Sequence, residues 1–171
     1  DAVLTAEQCS LLINETKWED AEAGWDVAKV GDNELNLKIR KTDIVWHPNL
    51  SVAGCLCTMY ATAANLLAGW DFDLIGNEQL QMSRYKSDGG FYDWHMDTGE
   101  PKDGLQRKLS VSILLNDDFE GGEFDFESQD NVLTKKGSIL VFPSFLKHRV
   151  RPVTQGTRYS AVNWVQGAKF K

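Results

Sequence analysis

The chain has 171 residues, of which 42% are hydrophobic and 25% are charged, so a disordered or fibrous protein is excluded. Its formal net charge is −7, and an acidic surface repels phosphate backbones, so we expect no nucleic-acid partner. The three cysteines, an odd number, predict a reducing, cytoplasmic compartment and no disulfide framework. No apolar run approaches the roughly 18 residues of a spanning helix, so no membrane association is expected.

The first part of the chain is predicted to be helical in two places. Thr5 and Gln8 have the spacing of a capping box, which predicts a helix over residues 5–18. The segment 51–70 is rich in Ala and Leu and ends at Gly69, which predicts a second helix with an apolar face. We therefore expect residues 1–75 to supply mainly helical support. The sequence shows no signal peptide and leaves open whether an upstream segment is missing.

The hydrophobic period changes to two from residue 78 onward, which is typical of strands separated by glycine-containing turns. Partly alternating segments at 24–30 and 35–46 are also read as strands, or as a loop with strand ends. The pattern predicts a mainly β protein with supporting helices (α+β), with a double-stranded β-helix (jelly-roll) core over 78–166 in a single domain, 1–171. The further predicted strands are 78–86, 108–116, 122–127, 138–142, 147–153 and 157–165.

The strongest candidate for chemistry is the pair His95 and Asp97. Residues i and i+2 of a strand share a face, so an extended 91–97 segment points both side chains toward one ion. On its own this spacing is weak, and a structural hydrogen-bonded pair is the simpler interpretation. A non-haem iron site with two histidines and one carboxylate needs a second histidine. His148, at the start of a predicted strand, can supply it in a jelly roll.

Arg158 lies ten residues after His148 on the next predicted strand. An arginine that faces the inside of a barrel can bind a carboxylate through two parallel hydrogen bonds. Ser160 shares its face by the period of two and can add a hydroxyl. The sequence therefore offers three metal ligands and a cationic socket, which together suit a dicarboxylate that chelates the metal at one end.

This combination resembles the Fe(II)- and 2-oxoglutarate-dependent dioxygenases, in particular the prolyl 4-hydroxylase-like group. The resemblance covers mainly the C-terminal half of the chain. The segments that carry it are 81-QMSRYKSDGGFYDWHMD-97, 110-SVSILLND-117, 121-GGEFDF-126 and 137-GSILVFPSFLKHRVRPVTQGTRYSAVNW-164.

The resemblance implies that His95, Asp97 and His148 bind Fe(II), and that Arg158 pairs with the distal carboxylate of 2-oxoglutarate. Tyr85 matches a tyrosine that lines the cosubstrate pocket of related hydroxylases. One departure is Leu114, where some relatives have a tyrosine that also contacts this carboxylate, so here Arg158 would act without it, helped by Ser160. The implied cofactors are Fe(II), 2-oxoglutarate and O2, with ascorbate as a reductant.

The implied reaction is hydroxylation of a C–H bond with release of succinate and CO2, most simply on a peptidyl proline. The partner would then be a peptide or protein. Two alternatives stay open: a hydroxylase of a free amino acid or small metabolite, and a non-catalytic, cupin-like metal-binding module. The segment 40–49 is expected to be a loop near the substrate, with Arg40, Trp46 and His47 either as substrate contacts or as ordinary loop residues. Tyr92 and Trp94 are expected to face away from His95. The sequence does not indicate an oligomeric state.

Overall fold

The computed structural model describes residues 2–24, 27–30, 34–48 and 50–170. Within these ranges the chain forms the helices α1 (Ala6–Glu15) and α2 (Val52–Leu67), one 3-10 turn (Trp18–Asp20) and thirteen strands. The strands are β1 (Glu22–Gly24), β2 (Val27–Val30), β3 (Glu34–Lys38), β4 (Arg40–His47), β5 (Leu74–Asn77), β6 (Leu80–Lys86), β7 (Phe91–His95), β8 (Leu105–Leu114), β9 (Phe119–Gly121), β10 (Phe124–Phe126), β11 (Ile139–Pro143), β12 (His148–Val150) and β13 (Val153–Ala168).

Both predicted helices are confirmed, and their first turns show why they begin where they do. At α1 the Thr5 hydroxyl accepts a hydrogen bond from the Gln8 amide, and the Gln8 side chain accepts one from the Thr5 amide, which completes the capping box. At α2 the Ser51 hydroxyl accepts a hydrogen bond from the amide of Gly54. Each cap satisfies backbone N–H groups that the helix itself leaves without a partner.

The strands form a curled antiparallel sheet, which confirms the predicted jelly roll. Its hydrogen-bonded path runs β10-β12-β7-β4-β6-β13-β8-β11, with β1, β5 and β9 paired at the side. Two strands change partners along their length and so join the two halves of the roll. β4 pairs first with β7 and then with β6, and β13 pairs first with β9 and then with β6 and β8. A separate hairpin joins β2 and β3.

The alternation along β8 separates the two sides of the sheet. Leu109, Val111 and Ile113 are buried in the core that includes Cys9 of α1 and Cys57 of α2. The intervening Ser110 and Ser112 point to the inside of the roll. Short polar side chains on the inner face leave space there, while branched apolar side chains on the outer face fill the contact with the helices. The cavity therefore lies inside the roll, and the main hydrophobic core lies between the outer face of the sheet and the helices.

The structure corrects two predicted elements. The predicted strand 147–153 is divided, because β12 ends at Val150 and β13 begins at Val153 with a different partner strand. Pro152 between them has no N–H for a continuous ladder. The predicted loop 40–49 is wrong as well: residues 40–47 form β4, which pairs with β6 and β7.

Some expectations fall partly outside the described residues or are not tested by the fold. Of the predicted strand 24–30, residues 25–26 lie outside the described residues, and β1 and β2 lie on either side of them. Among the described residues no helix combines the length and the apolar character that crossing a bilayer requires. All three cysteines are free. The single-domain organisation and the cytoplasmic location stay predictions.

Candidate metal centre

Three side chains, two on neighbouring strands and one just after a strand, converge inside the roll. His95 is the last residue of β7, His148 is the first residue of β12, and the two are direct partners across the antiparallel pair. Asp97 follows two residues after His95. Its Oδ1 lies 3.5 Å from Nε2 of His95 and its Oδ2 lies 3.5 Å from Nε2 of His148. One donor atom from each residue lies within 4.8 Å of the others, which is a suitable arrangement for a metal ion.

Backbone carbonyls set which ring nitrogen of each histidine is available. Nδ1 of His95 lies 2.7 Å from the carbonyl oxygen of Asp93, and Nδ1 of His148 lies 2.9 Å from that of Leu146. A carbonyl oxygen can only accept, so each Nδ1 carries the hydrogen and each Nε2 keeps a lone pair. Both Nε2 atoms point toward Asp97, which is the orientation that metal-binding histidines adopt.

Asp97 is buried and held from two sides. The Ser110 hydroxyl donates to its Oδ2 at 2.7 Å, and its backbone amide donates to the carbonyl of Ser144 at 2.9 Å. Burial by itself would raise the pKa of this carboxyl group, but the combined effect of the adjacent His95 and His148 and of the hydrogen bond from Ser110 outweighs burial and keeps the pKa below its ordinary value. The carboxylate is therefore ionised and fixed before any ion binds.

Burial also acts on the second histidine. It lowers the pKa of His148, and the nearby carboxylate of Asp97 opposes this only in part. The imidazole is thus kept in its neutral form, which is the form that binds metals. Phe124 stacks on the His148 ring at 5.2 Å between centroids, and Phe142 meets it edge-on at 4.8 Å. These rings fix the plane of the imidazole and exclude water from one side of the site.

Tyr92 contradicts the prediction that it faces away from His95. The two rings are stacked, with centroids 3.4 Å apart and planes 11° from parallel. The cause is a β-bulge: three residue steps of β7, from Tyr92 to His95, oppose two steps of β12, from Val150 to His148. The extra residue shifts the alternation, so Tyr92 and His95 come to the same side. The guanidinium carbon of Arg149 lies 4.5 Å from the ring centroid of Trp94, as expected for a tryptophan on the outer side of the strand.

Arg158 lies in the same cavity and is 1% exposed. Nη1 donates to the Ser160 hydroxyl at 3.1 Å, and the guanidinium carbon lies 5.6 Å from the Tyr85 ring centroid. Nε and Nη2 are buried and have no hydrogen-bond partner. Burial lowers the pKa of Arg158. Buried N–H donors on a cation require an acceptor, so this pair of donors fits a carboxylate, which can accept two parallel hydrogen bonds.

The three residues expected to contact substrate are divided by the structure. Arg40 lines the cavity, with its guanidinium 4.6 Å from the Tyr92 ring centroid. Trp46, 38% exposed, borders a second cavity, and its ring is 6.2 Å from that of Trp164, which lines the first. His47 borders the same second cavity, where its Nε2 lies 3.3 Å from the hydroxyl of Thr16.

Sequence reasoning missed two residues that support the site, Ser110 and Ser144. Their hydroxyl groups are 3.0 Å apart, and both residues bond to Asp97, one through its hydroxyl and one through its carbonyl. Ser110 could have been found from the sequence, because Ser110 and Ser112 alternate with apolar residues of one strand, which indicates a polar inner face. Ser144 follows β11 directly and has no comparable sign in the sequence.

Comparisons with known proteins agree with this geometry. The sequence model described as the 2OG-Fe(II) oxygenase superfamily matches residues 80–166. A PKHD-type hydroxylase of Acaryochloris marina is 31% identical over 97% of this chain and 76% of its own length. The chain belongs to the 2OG-Fe(II) oxygenase superfamily. The predicted resemblance is therefore confirmed at the level of the family.

A second relative matches over only part of its length, and a solved structure matches in fold. A PKHD-type hydroxylase of Gloeothece citriformis is 42% identical over 93 residues, which are 51% of this chain and 42% of that protein, so the match spans less than half of that relative. The solved structure of a viral collagen prolyl hydroxylase from Paramecium Bursaria Chlorella virus-1, in complex with 2OG, superposes with a TM-score of 0.72. It covers 98% of this chain and 94% of its own at 22% identity, and so shows a shared fold.

Proposed function

We propose that this chain is an Fe(II)- and 2-oxoglutarate-dependent hydroxylase that acts on a peptidyl proline. One observation carries the proposal: the His95, Asp97 and His148 donors share a cavity with Arg158, a buried cation without an acidic partner in the described residues. A metal-binding module would need the first three residues only. A buried guanidinium with unused donors supports a site that also binds a carboxylate.

In this proposal, Nε2 of His95, Nε2 of His148 and a carboxylate oxygen of Asp97 hold Fe(II). Arg158 binds the distal carboxylate of 2-oxoglutarate, with Ser160 orienting one guanidinium nitrogen and Tyr85 beside it. The loaded site supplies an oxidation in which 2-oxoglutarate, O2 and a C–H bond become succinate, CO2 and a C–OH group.

The protein's own contribution is orientation and exclusion of water. Ser110 and the Ser144 carbonyl fix the carboxylate ligand, and Phe124 and Phe142 cover the ring of His148. Because the ligands are set in advance, little reorganisation is needed when the cosubstrate binds. A closed apolar wall also protects reactive species from side reactions with solvent.

The rim of the site supports a peptide substrate. Met96, between two of the ligands, is 60% exposed, and Phe145 and Leu146, just before His148, are 46% and 38% exposed. Exposed apolar side chains next to the residues that line a concave site are typical of a surface that binds another molecule. The viral structure with the same fold is named a collagen prolyl hydroxylase, and collagen is a proline-rich polypeptide.

The proposal is tested by succinate release from 2-oxoglutarate with Fe(II), O2 and ascorbate as reductant. The substrate panel contains proline-containing peptides, matched peptides with alanine in place of proline, free proline and other free amino acids. We expect succinate release to rise with a proline peptide, and that peptide to gain one oxygen atom by mass spectrometry. Stimulation by a free amino acid alone supports the small-metabolite alternative, and Fe(II) binding without any 2-oxoglutarate turnover supports the non-catalytic alternative.

Arg158→Gln tests the cosubstrate assignment. Loss of a charge-assisted hydrogen bond costs about 1.5–3 kcal/mol, so the 2-oxoglutarate concentration for half-maximal turnover is expected to rise about ten- to a hundredfold. Arg84→Gln is the control, because Arg84 pairs with Asp43 outside the cavity. An unchanged 2-oxoglutarate requirement in Arg158→Gln would refute the socket.

A further inference from the structure

Helix α2 has an outer face without a charged residue. Its sequence, VAGCLCTMYATAANLL, contains no Asp, Glu, Lys or Arg. Val52, Met59 and Leu66 are 77%, 55% and 76% exposed, although all three are large and apolar. They are spaced by seven residues, so they form a straight line along the helix. The opposite face, with Ala53, Cys57 and Ala61, is fully buried against the sheet. A surface helix normally exposes charged side chains here.

The exposed apolar surface extends beyond the helix. Leu50, Leu67 and Ile75 are 87%, 86% and 64% exposed. Leu50 and Leu67 are at the two ends of α2, and β5, which contains Ile75, lies beside it, since Nδ2 of Asn77 donates to the Thr58 hydroxyl at 2.9 Å. We call these residues the α2 face: Leu50, Val52, Met59, Leu66, Leu67 and Ile75.

The area of the α2 face is close to what a stable dimer needs. Burial of one large apolar side chain removes on the order of 100 Å² from water. Six such residues therefore offer on the order of 600 Å², compared with about 800 Å² per partner in a standard interface. Side chains at the edge of the contact can supply the remainder. An apolar patch of this size is larger than isolated exposed residues account for.

The α2 face avoids the charge repulsion that otherwise opposes association of two copies. The chain carries a net charge of −7, so two copies repel each other over most of their surfaces. The α2 face is the place where they can meet without opposing like charges. The face is also symmetric about Met59, with Val52 seven residues before it and Leu66 seven residues after it. An antiparallel helix pair about a two-fold axis thus brings like-sized apolar groups together.

We propose that the protein forms a two-fold symmetric homodimer through the α2 face. Met59 lies on the axis and meets Met59 of the partner subunit, and Val52 meets Leu66 of the partner subunit. The buried side of α2 contacts β8 and β13, whose inner faces line the cavity. The dimer therefore covers the outer surface of the helix layer and leaves the candidate metal centre open.

The test measures molar mass in solution by sedimentation and light scattering over a wide range of protein concentrations. We expect a dimer for the natural chain. Met59→Glu places two carboxylates on the axis, and the dimer is expected to dissociate more than about a hundredfold more readily. Leu11→Glu is the matched control, since Leu11 is also 55% exposed but lies on α1. This variant is expected to remain dimeric, and circular dichroism checks that both variants are folded.

Cross-linking tests the geometry itself. In a Cys55→Ser background, Met59→Cys is expected to form a covalent dimer on mild oxidation, because residue 59 faces its own copy. Leu11→Cys in the same background is expected not to do so. A natural chain that is monomeric at all concentrations overturns the proposal. So does a Met59→Glu variant that stays as dimeric as Leu11→Glu, since the interface would then lie elsewhere.

Discussion

His95 and His148 stand directly opposite each other across β7 and β12, with ring centroids 4.1 Å apart. The two residues are far apart in sequence, so the register of one short strand pair is what builds the site. Side chains that face each other in an antiparallel pair point to the same side of the sheet. A slip of one residue would turn one imidazole to the opposite side. The geometry of the candidate metal centre therefore depends on the pairing register of β7 and β12.

Ser110→Ala is expected to weaken metal binding about 10–100-fold, which is the usual effect of losing a partner of a metal ligand. The Ser110 hydroxyl is the side-chain donor that orients Oδ2 of Asp97, at 2.7 Å. Without it the carboxylate can rotate, and a buried acceptor loses its hydrogen bond. The measurement is a titration with Co(II) followed by absorbance, which requires no turnover.

Ser112→Ala is the control for that titration. Ser112 lies two residues further along the same inner face of β8 and, within the described part of the chain, does not bond to Asp97. Its removal is expected to leave Co(II) affinity within about twofold of the natural chain, since no metal ligand loses a partner. Equal losses in the two variants would argue that a general change in the cavity, and not the bond to Asp97, controls affinity.

Much of the fold follows from local sequence patterns. The capping box at Thr5, the apolar helix after Ser51 and the alternation along β8 depend on residues close together in sequence, and the structure confirms them. The long-range features do not follow from such patterns. Nothing in the periodicity of residues 147–153 indicates that His148 pairs with His95; that placement rests on the need for a second histidine in a jelly roll and on the resemblance to a family.

The errors have identifiable physical causes. Simple alternation places Tyr92 on the wrong side because it assumes a regular strand, whereas a bulge in β7 adds one residue. Family resemblance favours a loop over 40–49, whereas the alternation over 35–46 indicates a strand, which the structure shows at residues 40–47. Ser144 could not be predicted because it acts through its backbone carbonyl, which every residue possesses.

Gly122→Ala is expected to raise the 2-oxoglutarate concentration needed for half-maximal turnover. Gly122 has a φ of +65°, and a Cβ there would lie 2.9 Å from Cδ of Arg158 and 3.0 Å from Cγ2 of Val153. The added methyl group therefore pushes the arginine from its position, and the crowding destabilises the fold by about 1–3 kcal/mol. Turnover against 2-oxoglutarate concentration and thermal unfolding are measured together.

Gly89→Ala separates the two effects of that substitution. Gly89 also has a positive φ, +88°, but no atom lies within 4 Å of a Cβ built on it. This variant shares the backbone cost of a side chain at positive φ without touching Arg158. We expect it to lose stability and keep the 2-oxoglutarate requirement. If Gly122→Ala also kept that requirement, the arginine would not depend on the space at residue 122.

Trp46→Ala is expected to raise the KM for a peptide substrate about two- to tenfold, from loss of an aromatic contact of about 0.5–1.5 kcal/mol. Trp46 borders the second cavity, but its ring also lies 6.2 Å from that of Trp164, which lines the cavity of the candidate metal centre. His47→Ala is expected to leave KM unchanged, because that side chain contacts Thr16 on the side of the second cavity. Steady-state kinetics with peptide and with 2-oxoglutarate alone distinguish the two variants. A larger effect from His47→Ala would move the substrate path to the second cavity.

Asp125 stabilises β12, the strand that carries His148, through hydrogen bonds. It is fully buried and accepts hydrogen bonds from Nε of Arg149 at 2.8 Å, from Nε of Arg151 at 2.6 Å and from the amide of Asn131 at 2.9 Å. Burial by itself would raise the pKa of Asp125, but the bonds from Arg151, Asn131 and Arg149 outweigh burial and lower the pKa. Because the pKa is lowered, the ionised Asp125 stabilises the fold fully at pH values above 3.8, the ordinary pKa of the group. This contribution is lost as the pH falls through the lower pKa of the folded state.

Asp125→Asn is therefore expected to lose about 1–3 kcal/mol of unfolding free energy at neutral pH. The difference from the natural chain should shrink as the pH falls below 3.8, because the natural carboxyl group is then increasingly protonated. Urea unfolding at a series of pH values measures both quantities. Glu127→Gln is the control, since Glu127 forms an exposed pair with Lys147 that contributes about 0–1 kcal/mol. A difference that stayed constant with pH would show that Asp125 acts through packing and not through its charge.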